Sequence, residues 1–134
     1  MVSLFMKKLD NFYHALDNLD TVKDKQPPFT PIEQAGITNL FHICFEQSWK
    51  AMRSLLIKQG VSETQLYSPR SVLKSAYQTA LINEETIWLE MLHTRNLLVH
   101  TYDDATSAAT ITTIQTKFVP AFHSLRQTIE TSWL

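Results

Sequence analysis

Asn83-Glu84-Glu85-Thr86-Ile87-Trp88-Leu89-Glu90-Met91-Leu92-His93-Thr94-Arg95-Asn96-Leu97-Leu98-Val99-His100-Thr101-Tyr102 is the stretch whose reading decides the fold. It is a run of helix-forming and apolar residues, free of Gly and Pro, that ends in a polar cluster. At about 100° per residue, Trp88, Met91, Leu92, Leu98 and Val99 share one side, a core-facing stripe. Arg95 falls in the middle of that stripe, and Tyr102, seven residues on, lies almost directly along from it. A guanidinium set among apolar neighbours is costly unless a charge or hydrogen-bond partner meets it. Asn96 and His100 are spaced i,i+4 and share a neighbouring face with His93. Arg, Asn, His and Tyr therefore converge at the C-terminal end of one helix. A local break of this kind in an otherwise consistent pattern marks functional sites more often than accident does.

Working outward, 134 residues make one domain with room for a core. Hydrophobic content is 44% and charged content 19%, an ordinary globular balance. The chain holds only 2 Gly and 5 Pro, and the prolines cluster at boundaries, which favours long helices. Leu4, Leu9, Phe12, Leu16 and Leu19 recur at helical steps and form a first amphipathic helix. Lys23 to Pro28 is a polar connection. Thr30-Pro31-Ile32-Glu33 combines a capping box with proline at the first helical position. The helix that begins there runs almost to Gly60, through Phe41, Phe45, Trp49, Met52, Leu55 and Leu56, and Gly60 suits its C-terminal cap. Ser68-Pro69 opens a short third helix carrying Val72, Leu73, Ala76 and Tyr77. Asn83 is placed to cap the fourth. Thr106 to Leu134 reads as a fifth, with Ile111, Ile114, Phe118, Phe122, Leu125 and Ile129 inward and Pro120 as a kink. The expected architecture is all-α, an up-and-down antiparallel bundle of about five helices spanning residues 1–134.

Composition excludes several function classes. Net charge is −1, so nucleic-acid binding would need a local basic patch. Cys44 is the sole cysteine, which rules out an internal disulfide and a multi-cysteine zinc site, and its apolar neighbours indicate a buried thiol. No stretch approaches the roughly 18 apolar residues of a membrane span, and the N-terminal apolar run is too short for a signal peptide. A cytoplasmic protein is the expectation. Gly36 and Gly60 are isolated, so there is no phosphate-cradling glycine loop and no nucleotidyltransferase Gly-Ser element. Asp103 and Asp104 are adjacent, with diverging side chains that make a poor two-metal site. The five histidines lack metal-ligand spacing, and no serine-hydrolase elbow is present. Neither a metal nor a cofactor is expected.

What remains is arginine plus histidine, a sufficient minimum for metal-free RNA cleavage. Histidine can move the 2′-hydroxyl or leaving-group proton near neutral pH. Arginine can grip the phosphate in bidentate fashion and stabilise charge in the transition state. Two copies across a symmetric dimer would supply one acid and one base. The competing structural reading has Arg95 paired with a core carboxylate, Glu46 or Glu85, with His100 and Tyr102 completing a hydrogen-bond network.

Arg95-x4-His100-x-Tyr102, with Asn96 after the arginine, resembles the signature of the HEPN superfamily (higher eukaryotes and prokaryotes nucleotide-binding). The ordered set Phe45-Glu46-Gln47-Ser48-Trp49-Lys50, Ser68-Pro69-Arg70, Trp88-Leu89-Glu90-Met91-Leu92 and Arg95 through Asp103 is similar to the nucleotidyltransferase substrate-binding protein family. That family supplies the small HEPN partner of a minimal nucleotidyltransferase. The similarity runs from Leu9 to Leu134. It implies a homodimer with two Arg/His pairs facing a cleft, and a cognate minimal nucleotidyltransferase encoded as a separate chain. It also implies a toxin–antitoxin function in which Arg95 and His100 are catalytic in a metal-independent ribonuclease acting on RNA. Asn96 would then orient one of them, and Tyr102 would be the site at which the nucleotidyltransferase adds AMP. The other function the family carries is that of a non-catalytic subunit binding nucleotide or another substrate.

The metal-independent ribonuclease is therefore the leading reading, the substrate-binding module is its alternative, and a structural dimer in which Arg95 only specifies the interface is the third. Modification of Tyr102 would place negative charge beside Arg95, a local electrostatic and steric switch. Trp49 and Trp88 lie at helical spacing and read as core. Trp133, near the C-terminus, is a candidate to cover a partner surface. Arg70 reads as a solvated first-turn residue and Lys7-Lys8 as a solvated charge run.

Overall fold

A computed structural model describes residues 3–100 and 104–134, without the side chains of 99–100 and 104–107. The order of elements is α1 (Leu4–Asp20), α2 (Pro31–Lys58), a 3₁₀ turn (Glu63–Gln65), α3 (Pro69–Gln78), α4 (Glu85–His100), α5 (Asp104–Thr113) and α6 (Val119–Thr128). A π turn (Ile114–Phe118) joins α5 to α6, and a second (Ile129–Trp133) continues α6. There is no strand among the described residues, and the all-α bundle is the fold.

Local chemistry sets the helix ends. Ser3 caps α1 by accepting from the Met6 amide at 3.1 Å. At the start of α2 the capping box is complete: Glu33 N–H donates to Thr30 Oγ1 at 3.1 Å, and Thr30 N–H donates to Glu33 Oε1 at 2.9 Å. The Thr30 amide first, and then the Lys25 ammonium 3.1 Å from Glu33 Oε2, hold the Glu33 carboxyl below its ordinary range. At the other end Gly60 takes φ 100°, and the Gly60 and Val61 amides reach back to Ile57 and Leu56. This paired return is the Schellman arrangement, which a glycine adopts without a Cβ penalty. The same closure ends α3, where Ala80 takes φ 63° and the Leu81 amide donates to Ala76 O at 2.9 Å. Here an L-residue bears the left-handed strain that Gly60 avoids.

One boundary expectation shifts. Helix α4 is capped by Glu84, whose carbonyl accepts from the Ile87 and Trp88 amides, rather than by Asn83 one residue earlier. Pro120, which has no amide to give, falls just after the Ile114–Phe118 π turn, an irregularity in the hydrogen-bond ladder beside the residue expected to disturb it.

The long helix α2 is the axis, packing on α1, α3, α4 and α5. Its aromatics organise the core. Phe41 stacks on Phe118 at 5.2 Å, Phe45 meets Trp88 at 6.5 Å, and Trp88 sits edge-on to Phe122 at 5.4 Å. Phe12 of α1 reaches Phe122 at 6.3 Å. Cys44 is fully buried there, and desolvation pushes its thiol well up, so it is an inert filler as expected. Val72, Leu73 and Ala76 of α3 are buried, but Tyr77 is 47% exposed. Trp133 is part-buried and packs against the chain's own core. Arg70 is exposed, as its first-turn position implies.

Candidate functional site

Trp88, Met91 and Leu92 carry the buried stripe of α4 against α2. Arg95 stands one turn further along that stripe, so its side chain meets α2 as well. The residue it meets is Glu46, whose Oε1 lies 2.5 Å from Arg95 Nη2. Glu46 follows the buried Phe45 and is itself held by Trp49, whose Nε1–H donates to Glu46 Oε2 at 3.1 Å. Asn96 completes the set, its Oδ1 accepting from Arg95 Nη1 at 3.1 Å. The side chains of Arg95 and Glu46 retain 25% and 18% of their exposure, so the pair is largely but not wholly out of water. Arg95 Nε and Glu46 Oε1 have no aligned hydrogen bond among the described residues, so the contact between the two is ionic.

Of the four motif residues, the structure brings Arg95 and Asn96 together and adds Glu46, the first of the two carboxylates foreseen as partners. Glu85 is a first-turn residue of α4, ten positions before Arg95, and takes no part. His93 and Asn96 are exposed, in keeping with their shared solvent-side face. His100 is the last residue of α4, and its side chain lies outside the described residues. Tyr102 and Asp103 lie outside them altogether, as does the side chain of Asp104. No group of three His, Cys, Asp or Glu able to hold a metal occurs among the described residues.

A second feature was not foreseen. A groove of about 650 Å³ opens between the start of α1, the C-terminal half of α2 and the 3₁₀ segment. Lys8, Lys50, Arg53 and Lys58 line it, against one carboxylate, Glu63. Trp49 forms part of its wall, so this indole faces the groove while its N–H is fixed to Glu46. Sequence spacing holds a signal of which Trp49 alone is read above, as core: Trp49, Lys50, Arg53, Ile57 and Lys58 recur at i,i+3 and i,i+4 along α2. That stripe is basic as well as apolar.

A family model described as nucleotidyltransferase substrate binding protein like matches residues 7–131, and the chain belongs to that family. The family is one of the HEPN-like helical folds. Among solved structures, the chain is similar to a crystal structure from Thermus thermophilus, with 25% identity and a TM-score of 0.75, covering 87% of this chain and 96% of that one. No curated protein matches it. No helix among the described residues is long and apolar enough to cross a membrane.

Proposed function

We propose that this chain is the helical subunit of a two-component nucleotidyltransferase module, binding a substrate and presenting it to a nucleotidyltransferase carried on a separate chain. The family membership supports the partnership. The observation that carries the choice of a binding role is the Arg95–Glu46 pair. A carboxylate already compensates the motif guanidinium within one chain, and Asn96 takes a further donor. An arginine neutralised in this way stabilises the α2–α4 contact without requiring His100 to titrate.

The second reading is the metal-independent ribonuclease toxin, with Arg95 and His100 catalytic across a homodimer, RNA as substrate, and Tyr102 the acceptor of AMP. Asn96 favours it, because its carbonyl on Arg95 Nη1 is the orienting contact that role needs. Glu46 would then be a second orienting group, and a phosphate would take the guanidinium N–H donors that Glu46 and Asn96 leave over.

One experiment separates the two. Total RNA is incubated with the purified protein in excess EDTA, with His100→Ala in parallel. A minimal nucleotidyltransferase from the same genome is then added, and complex formation is followed by size-exclusion chromatography. The binding role predicts a stable complex and no cleavage by either form of the chain. Metal-free cleavage that disappears in His100→Ala overturns it in favour of the ribonuclease, and Tyr102 then becomes the residue in which to look for AMP by mass spectrometry.

A further inference from the structure

The basic groove beside the Arg95 network has the make-up of a ligand site. Lys8, Lys50, Arg53 and Lys58 converge on it, and none of them forms a salt bridge to a described carboxylate. Arg53 spends its Nε–H on Leu66 O at 3.1 Å, which ties α2 to the segment that closes the groove. Lys58 Nζ stands 4.1 Å from the centre of the Phe5 ring. The ordinary fate of four clustered cations is mutual repulsion unless an anion joins them.

Flat rings accompany the charge. Trp49 is part-buried, with its orientation fixed by Glu46, so one face of the groove is preorganised. Tyr67 lines the same groove and is 82% exposed, a large ring left in water by its own fold. Cations for phosphate oxygens and aromatic faces for a base are the two elements by which proteins hold nucleotides. The volume lies within the range of about 300–1,000 Å³ typical of small-molecule sites. A long polyanion is less suited. The chain's net charge is −1 although the groove itself is strongly positive, so the surface beyond the groove is net acidic and repels an extended strand.

We propose that this groove binds a nucleoside polyphosphate, its phosphates on Lys8, Lys50, Arg53 and Lys58 and its base against Trp49 and Tyr67. The proposal deepens the substrate-presenting role by naming a substrate class. It is tested on the isolated chain, without the nucleotidyltransferase or RNA cleavage, so it fails independently of that role.

The test is isothermal titration at low salt with ATP, adenosine and inorganic tripolyphosphate as probes. ATP is expected to bind at least tenfold more tightly than either fragment, because only ATP uses both rings and cations. Lys8→Ala and Lys50→Ala are each expected to weaken ATP about tenfold, which corresponds to about 1.4 kcal/mol. Tyr67→Ala is expected to weaken ATP while leaving tripolyphosphate unchanged. Lys74→Ala, on the exposed side of α3, should leave ATP binding as it is. None of these side chains is in the core, and circular dichroism verifies that each variant is folded. Three results overturn the proposal. One is no ATP binding by the folded chain. Another is tripolyphosphate binding as tightly as ATP, which reduces the groove to an anion patch. The third is a short single-stranded RNA binding more tightly than ATP through the same lysines, which reassigns it to nucleic acid.

Discussion

Arg95 is a charged residue on a core-facing stripe, and its neighbours decide what that costs. Glu46 compensates the charge, Asn96 takes one donor, and Trp49 fixes the carboxylate. Removing one partner of a fully buried pair costs about 3–5 kcal/mol, whereas an exposed pair is worth about 0–1 kcal/mol. With 25% and 18% exposure the pair lies between these limits and nearer the buried one. Glu46→Ala is therefore expected to destabilise by about 1–3 kcal/mol, since it strands the guanidinium. Glu46→Ala with Arg95→Ala together should cost less than the sum of the single changes, because the stranded charge is gone. Urea denaturation of the four proteins checks this, and strict additivity would show that the two side chains do not interact.

At the scale of elements, the ends of α2 and α3 present the same closure with different residues. Gly60 and Ala80 both take positive φ, and the amides beyond them return to the last turn of their helices. An L-residue in that conformation costs roughly 1–2 kcal/mol, part of which glycine gives back through its freer unfolded chain. Ala80→Gly is expected to raise stability by roughly 1 kcal/mol and the melting temperature by a few degrees. A lower melting temperature would mean that the Ala80 methyl makes packing contacts worth more than the strain. The π turn before Pro120 belongs to this scale too, an irregularity in the hydrogen-bond ladder of one long C-terminal run whose apolar face stays on the bundle.

At the scale of the molecule, the core is an aromatic network that joins α1, α2, α4 and the C-terminal run. Phe122 is the node, in contact with Phe12, Phe41 and Trp88. It is fully buried, so Phe122→Ala opens a cavity shared by four elements. The expected cost is about 3–5 kcal/mol. Against a total of about 5–15 kcal/mol for a domain, that is a large share. Differential scanning calorimetry should show a strongly lowered melting temperature. A shift of only a degree or two would mean that the bundle collapses into the space.

The sequence by itself determined the class of fold, because amphipathic periodicity, the Thr30–Glu33 capping box, Ser68-Pro69 and Gly60 are local signals that need no tertiary partner to be read. It also marked Arg95 as anomalous and named Glu46 among its partners, since a buried charge must be met by another. It missed Glu84 in place of Asn83 at the start of α4, where two neighbouring polar residues could each serve as cap. It left Trp133 open between core and partner surface, because sequence does not say which helices pass near a terminus; the fold packs it partly against the chain's own core. The larger miss was the groove. Lys8 reads as one half of a solvated lysine pair, and Trp49 as a core aromatic, until α1 is laid beside α2. Tertiary structure alone decides that Lys8, from the first helix, and Lys50, Arg53 and Lys58, from the second, face one cavity. Charge convergence depends on distances through space, and those are set only when the apolar stripes of α1 and α2 have packed.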